Sequence, residues 1–146
     1  MLYVVSKIAN ENEVQVLINT LIHRGANPSA KNNELKTALH FAVEKNFRGV
    51  CSKLLQYDAL PNSKDQNSTM PYTIAIENGN DTLAAMLITY MSNKIVRGLY
   101  TSDGSQPAEF SFHKLMEKNM QDSMLAILDC LIEPQRPSGH INVYYD

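Results

Sequence analysis

The sequence predicts an all-α solenoid of stacked helix-turn-helix units joined by short hairpin or turn tips. Three observations predict it. Apolar residues recur at a fixed spacing of 33. Leu21, Leu54 and Leu87 share one column, Ile22, Leu55 and Ile88 the next, Leu17, Val50 and Leu83 a third, and Ala9, Ala42 and Ala75 a fourth. The turns repeat with the helices, because Gly25-Ala26-Asn27-Pro28 falls on Asp58-Ala59-Leu60-Pro61. Within a unit the apolar positions follow helical spacing, with Val50, Cys51, Leu54 and Leu55 on one face. Helix pairs this short cannot bury an apolar face alone. Only stacking against neighbouring copies gives them a core.

Taken in order, residues 1–30 form a partial, atypical first unit that opens on apolar Leu2-Tyr3-Val4-Val5. In the second unit, 31–63, a short helix over Thr37 to Glu44 breaks at Asn46, and a second helix runs from about Arg48 to Tyr57. That helix stops where the chain needs a left-handed residue: Gly25 meets the need in the first unit, and Asp58 tolerates it. The third unit spans 64–93. Its polar opening, Ser63-Lys64-Asp65-Gln66-Asn67-Ser68, has turn composition. Residues 94–106 read as an inserted loop. In 107–134 the period fails but an echo survives. His113-Lys114-Leu115-Met116-Glu117-Lys118-Asn119-Met120 repeats the pattern of His40 to Phe47 after 73 residues, two periods and seven more. Met124, Ile127, Leu128 and Leu131 then mark a further helix, so a degenerate fourth unit is expected. Residues 135–146 read as a linker, with Ile141 to Asp146 alternating like a strand. The apolar start and this abrupt end lead us to expect a piece of a longer array.

The segment Thr37-Ala38-Leu39-His40-Phe41-Ala42 resembles the T-P-L-H-x-A signature of the ankyrin repeat, with Ala38 in place of proline. The third unit, Met70-Pro71-Tyr72-Thr73-Ile74-Ala75, keeps the proline and loses threonine, leucine and histidine. Proline suits a first helical position, where the amide has no intrahelical partner, and Thr37 suits an N-cap. The resemblance implies that His40 is structural, its ring bonding to backbone of its own or an adjacent repeat, and that His113 stands at the equivalent place. The last helix, with Ile127-Leu128-Asp129-Cys130-Leu131-Ile132, and the later segment Val143-Tyr144-Tyr145-Asp146 resemble the link between the ankyrin region and the membrane in TRPA-type transient receptor potential cation channels. In that family a leucine-aspartate pair, a cysteine and a tyrosine-aspartate strand precede the first membrane helix. Here Cys130 follows Asp129 directly rather than after one residue. The resemblance implies the cytosolic segment of a channel whose pore lies outside this sequence.

Composition narrows the remaining classes. The chain is 44% apolar and 19% charged over 146 residues, the balance of a folded domain. Its formal charge of −2 offers no general grip on nucleic acid or anionic lipid. The longest uncharged run, Thr82 to Asn93, is 12 residues, against roughly 20 for a membrane span. No signal peptide is recognisable, and a reducing cytoplasmic setting is expected. Cys51 and Cys130 are too few for a disulfide framework and lack metal-ligand spacing. Cys51 falls in a core column, whereas Cys130 has no base or orienting partner in sequence. His23 and His140 are isolated. The six glycines never cluster as a phosphate cradle would require. Asn67 and Asn80 match the glycosylation sequon, but nothing routes the chain to a secretory lumen. The methionines of the second half are read as gap-fillers in degenerate repeats.

Shape is what remains. Position within the resembled motif puts Phe41, Glu44, Lys45, Ile74, Glu77 and Asn78 on or near the concave side, with Asn33, Glu34, Lys36, Lys64 and Asp65 at the tips. The expected function is a non-catalytic protein-interaction module without metal or cofactor. Its partners would be proteins on those surfaces, and in a full-length channel neighbouring repeats and a transmembrane region. A soluble adaptor is the alternative.

Overall fold

The computed structural model describes residues 2–96 and 116–132; the side chains of 92–96, 127 and 130–132 fall outside the description. Every regular element among the described residues is a helix: α1 (Leu2–Lys7), α2 (Glu11–His23), α3 (Ala38–Glu44), α4 (Arg48–Gln56), α5 (Pro71–Glu77), α6 (Asp81–Val96) and α7 (Gln121–Ile132). The short helices α1, α3 and α5 pack in succession as one layer. Each also packs on the longer helix next along the chain, and α7 packs on α6. Nearest-neighbour contact of this kind defines a solenoid.

The period is written in the backbone as well as the side chains. Left-handed residues fall 33 apart in three series: Gly25 (φ 88°) and Asp58 (φ 65°) end α2 and α4, Leu35 (φ 59°) and Ser68 (φ 61°) turn the tips, and Asn46 (φ 58°) and Gly79 (φ 70°) end α3 and α5. Asn119 (φ 54°) stands 73 residues after Asn46, following helical residues 116–117. The echo in the sequence therefore reproduces a backbone turn. Pro71 occupies the first position of α5 and Thr37 the N-cap of α3, as their chemistry suggests.

The core columns of the second and third units are fully enclosed. Val50, Cys51, Leu54 and Leu55 are buried in α4, and Leu83, Ala84, Leu87 and Ile88 in α6. The first unit departs from the period. Ala9 does not join Ala42 and Ala75: it is exposed in the α1–α2 connector, and Val5 supplies the buried contact of α1. The cause is an early start to α2, whose 13 residues exceed the nine of α4 by about one helical turn. Adding a whole turn leaves the apolar face pointing inward while displacing α1 by the same step. Leu17 is 40% exposed, whereas Val14 and Ile18 are buried.

Candidate functional site

The tips are built by one device used twice. The Asn32 Oδ1 accepts from the amides of Glu34 (3.0 Å) and Lys36 (2.9 Å). The Asp65 Oδ1 does the same, 33 residues later, for Asn67 (2.8 Å) and Thr69 (2.9 Å). A short polar side chain replacing backbone partners in this way holds a turn without a hairpin ladder. Asp65 is therefore 6% exposed and organises its own turn, which corrects its placement among the presented tip residues. Asn32 could have revealed this, since it occupies the same position one unit earlier.

Neighbouring tips are tied together. Lys31 donates to the Lys64 carbonyl (3.0 Å), and the Gln66 amide donates to the Glu34 carbonyl (3.0 Å). Asn33, Glu34 and Lys64 remain exposed on this linked edge. Lys36 bridges Glu44 at 2.8 Å and lies 5.5 Å from the Phe41 ring centroid, covering part of that half-buried aromatic. The bond to Glu44 holds the Lys36 ammonium above its ordinary pKa. Lys45 reaches across the unit boundary to the Ile8 carbonyl (3.0 Å). Its counterpart Lys118 does so to the Glu77 carbonyl (2.6 Å). Glu44, Glu77 and Asn78 are exposed. Ile74 is buried (8% exposed) and acts as core, so it cannot be the apolar anchor its position suggests.

His40 is fully buried, and its ring performs two tasks. Nδ1 accepts from the Thr37 amide (3.0 Å), leaving Nε2 to donate to the Thr69 carbonyl of the next unit (3.2 Å). Only a neutral ring can accept at one nitrogen and donate at the other. Burial moves the His40 pKa below its ordinary value, against the opposing pull of the Thr69 bond. In the third unit Thr73 performs the first task alone, accepting from the Met70 amide at 3.1 Å. His113 lies outside the described residues.

A second device, unread in the sequence, joins the long helices. Glu11 accepts from the Gly49 (2.5 Å) and Val50 (3.3 Å) amides at the start of α4. Asp81 accepts from the Asp122 (2.9 Å) and Ser123 (2.8 Å) amides at the start of α7, 73 residues on. The carboxylates serve helix amides that would otherwise lack partners. A Cβ at Gly49 would meet the end of the Gln15 side chain, which would have to swing aside. Partial burial would raise the Asp81 pKa, but the hydrogen bonds from Ser123 and Asp122 prevail and hold it below the ordinary value.

The thiol of Cys51 is buried, and desolvation, with Glu11 nearby, pushes its pKa far up, so it is inert core. The Cys130 side chain and His140 lie outside the described residues. Among the described residues no group of His, Cys, Asp or Glu could hold a metal ion, and no helix is long and apolar enough to cross a membrane. Asn80 caps α6 through Leu83 (3.2 Å), a structural use of one sequon residue. Between α4 and α6 the outer surface opens into a cavity of about 310 Å³ lined by Ser52, Leu55, Gln56, Met86, Thr89 and Tyr90. Tyr90 closes one end by donating to the Leu55 carbonyl.

Helix pairs joined by tied tips, with their polar groups spent on the joints between units, define a repeat scaffold. The chain belongs to the ankyrin-repeat family: a family model described as ankyrin repeats in three copies matches residues 2–107. Ankyrin repeats are typically non-catalytic modules that bind protein partners. No curated protein matches the sequence.

Proposed function

We propose that this chain binds a protein partner along the edge formed by Asn33, Glu34, Lys36 and Lys64 and the adjoining ends of α3 and α5, namely Phe41, Glu44, Lys45, Glu77 and Asn78. The observation that carries this reading is the tie between tips, Lys31 to Lys64 and Glu34 to Gln66, which fixes two exposed polar turns in one register before any partner arrives. Preorganisation of this sort lowers the ordering cost of binding. Lys36 and Glu44 are half spent on each other, so they set orientation rather than strength. The test is photocrosslinking in the native cell from a reactive residue at Asn33 or Glu77, against one at Lys53 on α4. One protein captured from both edge positions and absent at Lys53 is expected. Equal capture from all three would overturn the assignment.

Within that reading, the units are 1–30, 31–63, 64–93 and 107–134, and the 33-residue spacing of the left-handed turns supports the period that divides the first three. The finer assignment, the cytoplasmic segment of a TRPA-like cation channel coupled to its pore through 135–146, is supported by the sequence of 127–146 alone. Reading the messenger RNA beyond the codon for Asp146 tests it. Six apolar spans of about 20 residues each are expected for a channel. A stop codon, or a soluble domain, would leave the adaptor.

A further inference from the structure

We propose that copies of this chain stack head to tail, α7 of one copy docking on α2 of the next. The inference uses the first and last long helices among the described residues and does not depend on the edge assigned above. Inside the stack, α4 turns Ser52, Leu55 and Gln56 toward α6, which answers with Met86, Thr89 and Tyr90. Leu55 is 3% exposed there. Seventy-three residues after the α4 set stand Leu125, Leu128 and Asp129 on α7, and among the described residues no further helix follows to cover this face: Leu125 is 58% and Leu128 39% exposed. Two periods before the α6 set stand Thr20 and His23 on α2 and Arg24 at its C-cap, all exposed, with the His23 ring turned instead toward Tyr57 at the end of α4, so Thr20 and Arg24 serve the free face. The neighbouring columns complete that face, since Val16 is 65% exposed at the position of Gly49 and Thr82, and Leu17 at that of Val50 and Leu83.

The two ends are thus the two halves of a joint already made inside the molecule, and the same helix faces meet if one copy follows another. Charge agrees with the pairing. Asp129 stands where Gln56 stands and Arg24 where Tyr90 stands, two residues that line one cavity, so opposite charges would face each other across the new joint. Because the docking faces differ, the contact is heterologous and continues beyond a dimer unless it closes into a ring.

Sedimentation velocity of the whole 146-residue chain tests this. The average mass is expected to rise with concentration past that of a dimer. Val16→Glu and Leu125→Glu each block one end, so each alone is expected to weaken association by about tenfold or more, as loss of an interface anchor does. Mixed in equal amounts they should form one-to-one dimers and nothing larger, because one intact head and one intact tail remain. Asp129→Arg should weaken assembly, and adding Arg24→Asp should restore it, a rescue that misfolding could not produce. Circular dichroism and unfolding midpoints matching wild type confirm that the variants fold. A concentration-independent monomer, for instance one whose own residues 133–146 cover α7, would overturn the proposal. So would an assembly that either single variant leaves intact, or a mixture that yields no dimer.

Discussion

The second and third units are joined through a buried ring, whereas α7 is joined to the third through a carboxylate at the surface. His40 is fully buried, caps its own helix and reaches the Thr69 carbonyl. Asp81 holds two amides of α7 from a half-exposed position. The difference teaches that a repeat stack need not use one kind of joint. A neutral ring fits a dry joint because it satisfies a donor and an acceptor without burying charge. A carboxylate suits a wet joint, where it keeps its hydration and still serves helix amides.

The largest effect should come from the packing both joints share. Leu54→Ala removes a fully buried side chain from the column between units and should cost roughly 2–5 kcal/mol in chemical unfolding. A loss under about 1 kcal/mol, typical of exposed positions, would mean that the column is not packed.

Next comes the ring itself. His40→Ala leaves the buried Thr37 amide without its partner, a loss of about 1–3 kcal/mol, and takes from the Thr69 carbonyl one of two donors, the other being the Asp65 amide at 3.0 Å. His40→Thr copies the arrangement that Thr73 has in the third unit and should lose the cross-unit bond alone, a visibly smaller drop. Equal losses for the two variants would show that the bond from the Thr37 amide contributes nothing, and no loss for His40→Thr that the reach to Thr69 contributes nothing.

Asp81→Asn keeps one acceptor oxygen and should leave global stability nearly unchanged while speeding amide hydrogen exchange in the first turn of α7. Slowing there, or exchange that quickens equally in α4, would contradict a joint confined to α7.

Sequence alone carried the period and the turn positions, because spacing and left-handed backbone both follow local chemistry, whereas the role of His40 came from the resemblance to the ankyrin signature. Thirty-three separates Gly25 from Asp58 and Leu35 from Ser68 as it separates the leucines. The first unit was misaligned because an added helical turn preserves the apolar face, so Leu17 and Leu21 match the columns of later units even though Ala9 does not. Asp65 and Ile74 misled for opposite reasons. A carboxylate in a polar stretch looks like surface, yet this one replaces backbone partners inside a turn. An isoleucine in a variable motif position looks like an anchor, yet the fold encloses it. The links from Glu11 and Asp81 join elements about 40 residues apart, and no periodic column advertises them.

Acid separates the two joints most directly. Both groups have lowered pKa values, so each contributes stability above its unfolded value that is lost as pH falls through its folded one. For His40 that loss begins below 6.5, and for Asp81 below 3.8, the ordinary values of the two groups. Residue-resolved hydrogen exchange at about pH 5 against pH 7, corrected for intrinsic rates, should therefore show α3 and the turn at Thr69 losing protection while α7 keeps its own. Equal loss across all the joints, or α7 opening first, would contradict a stack held by two different chemistries.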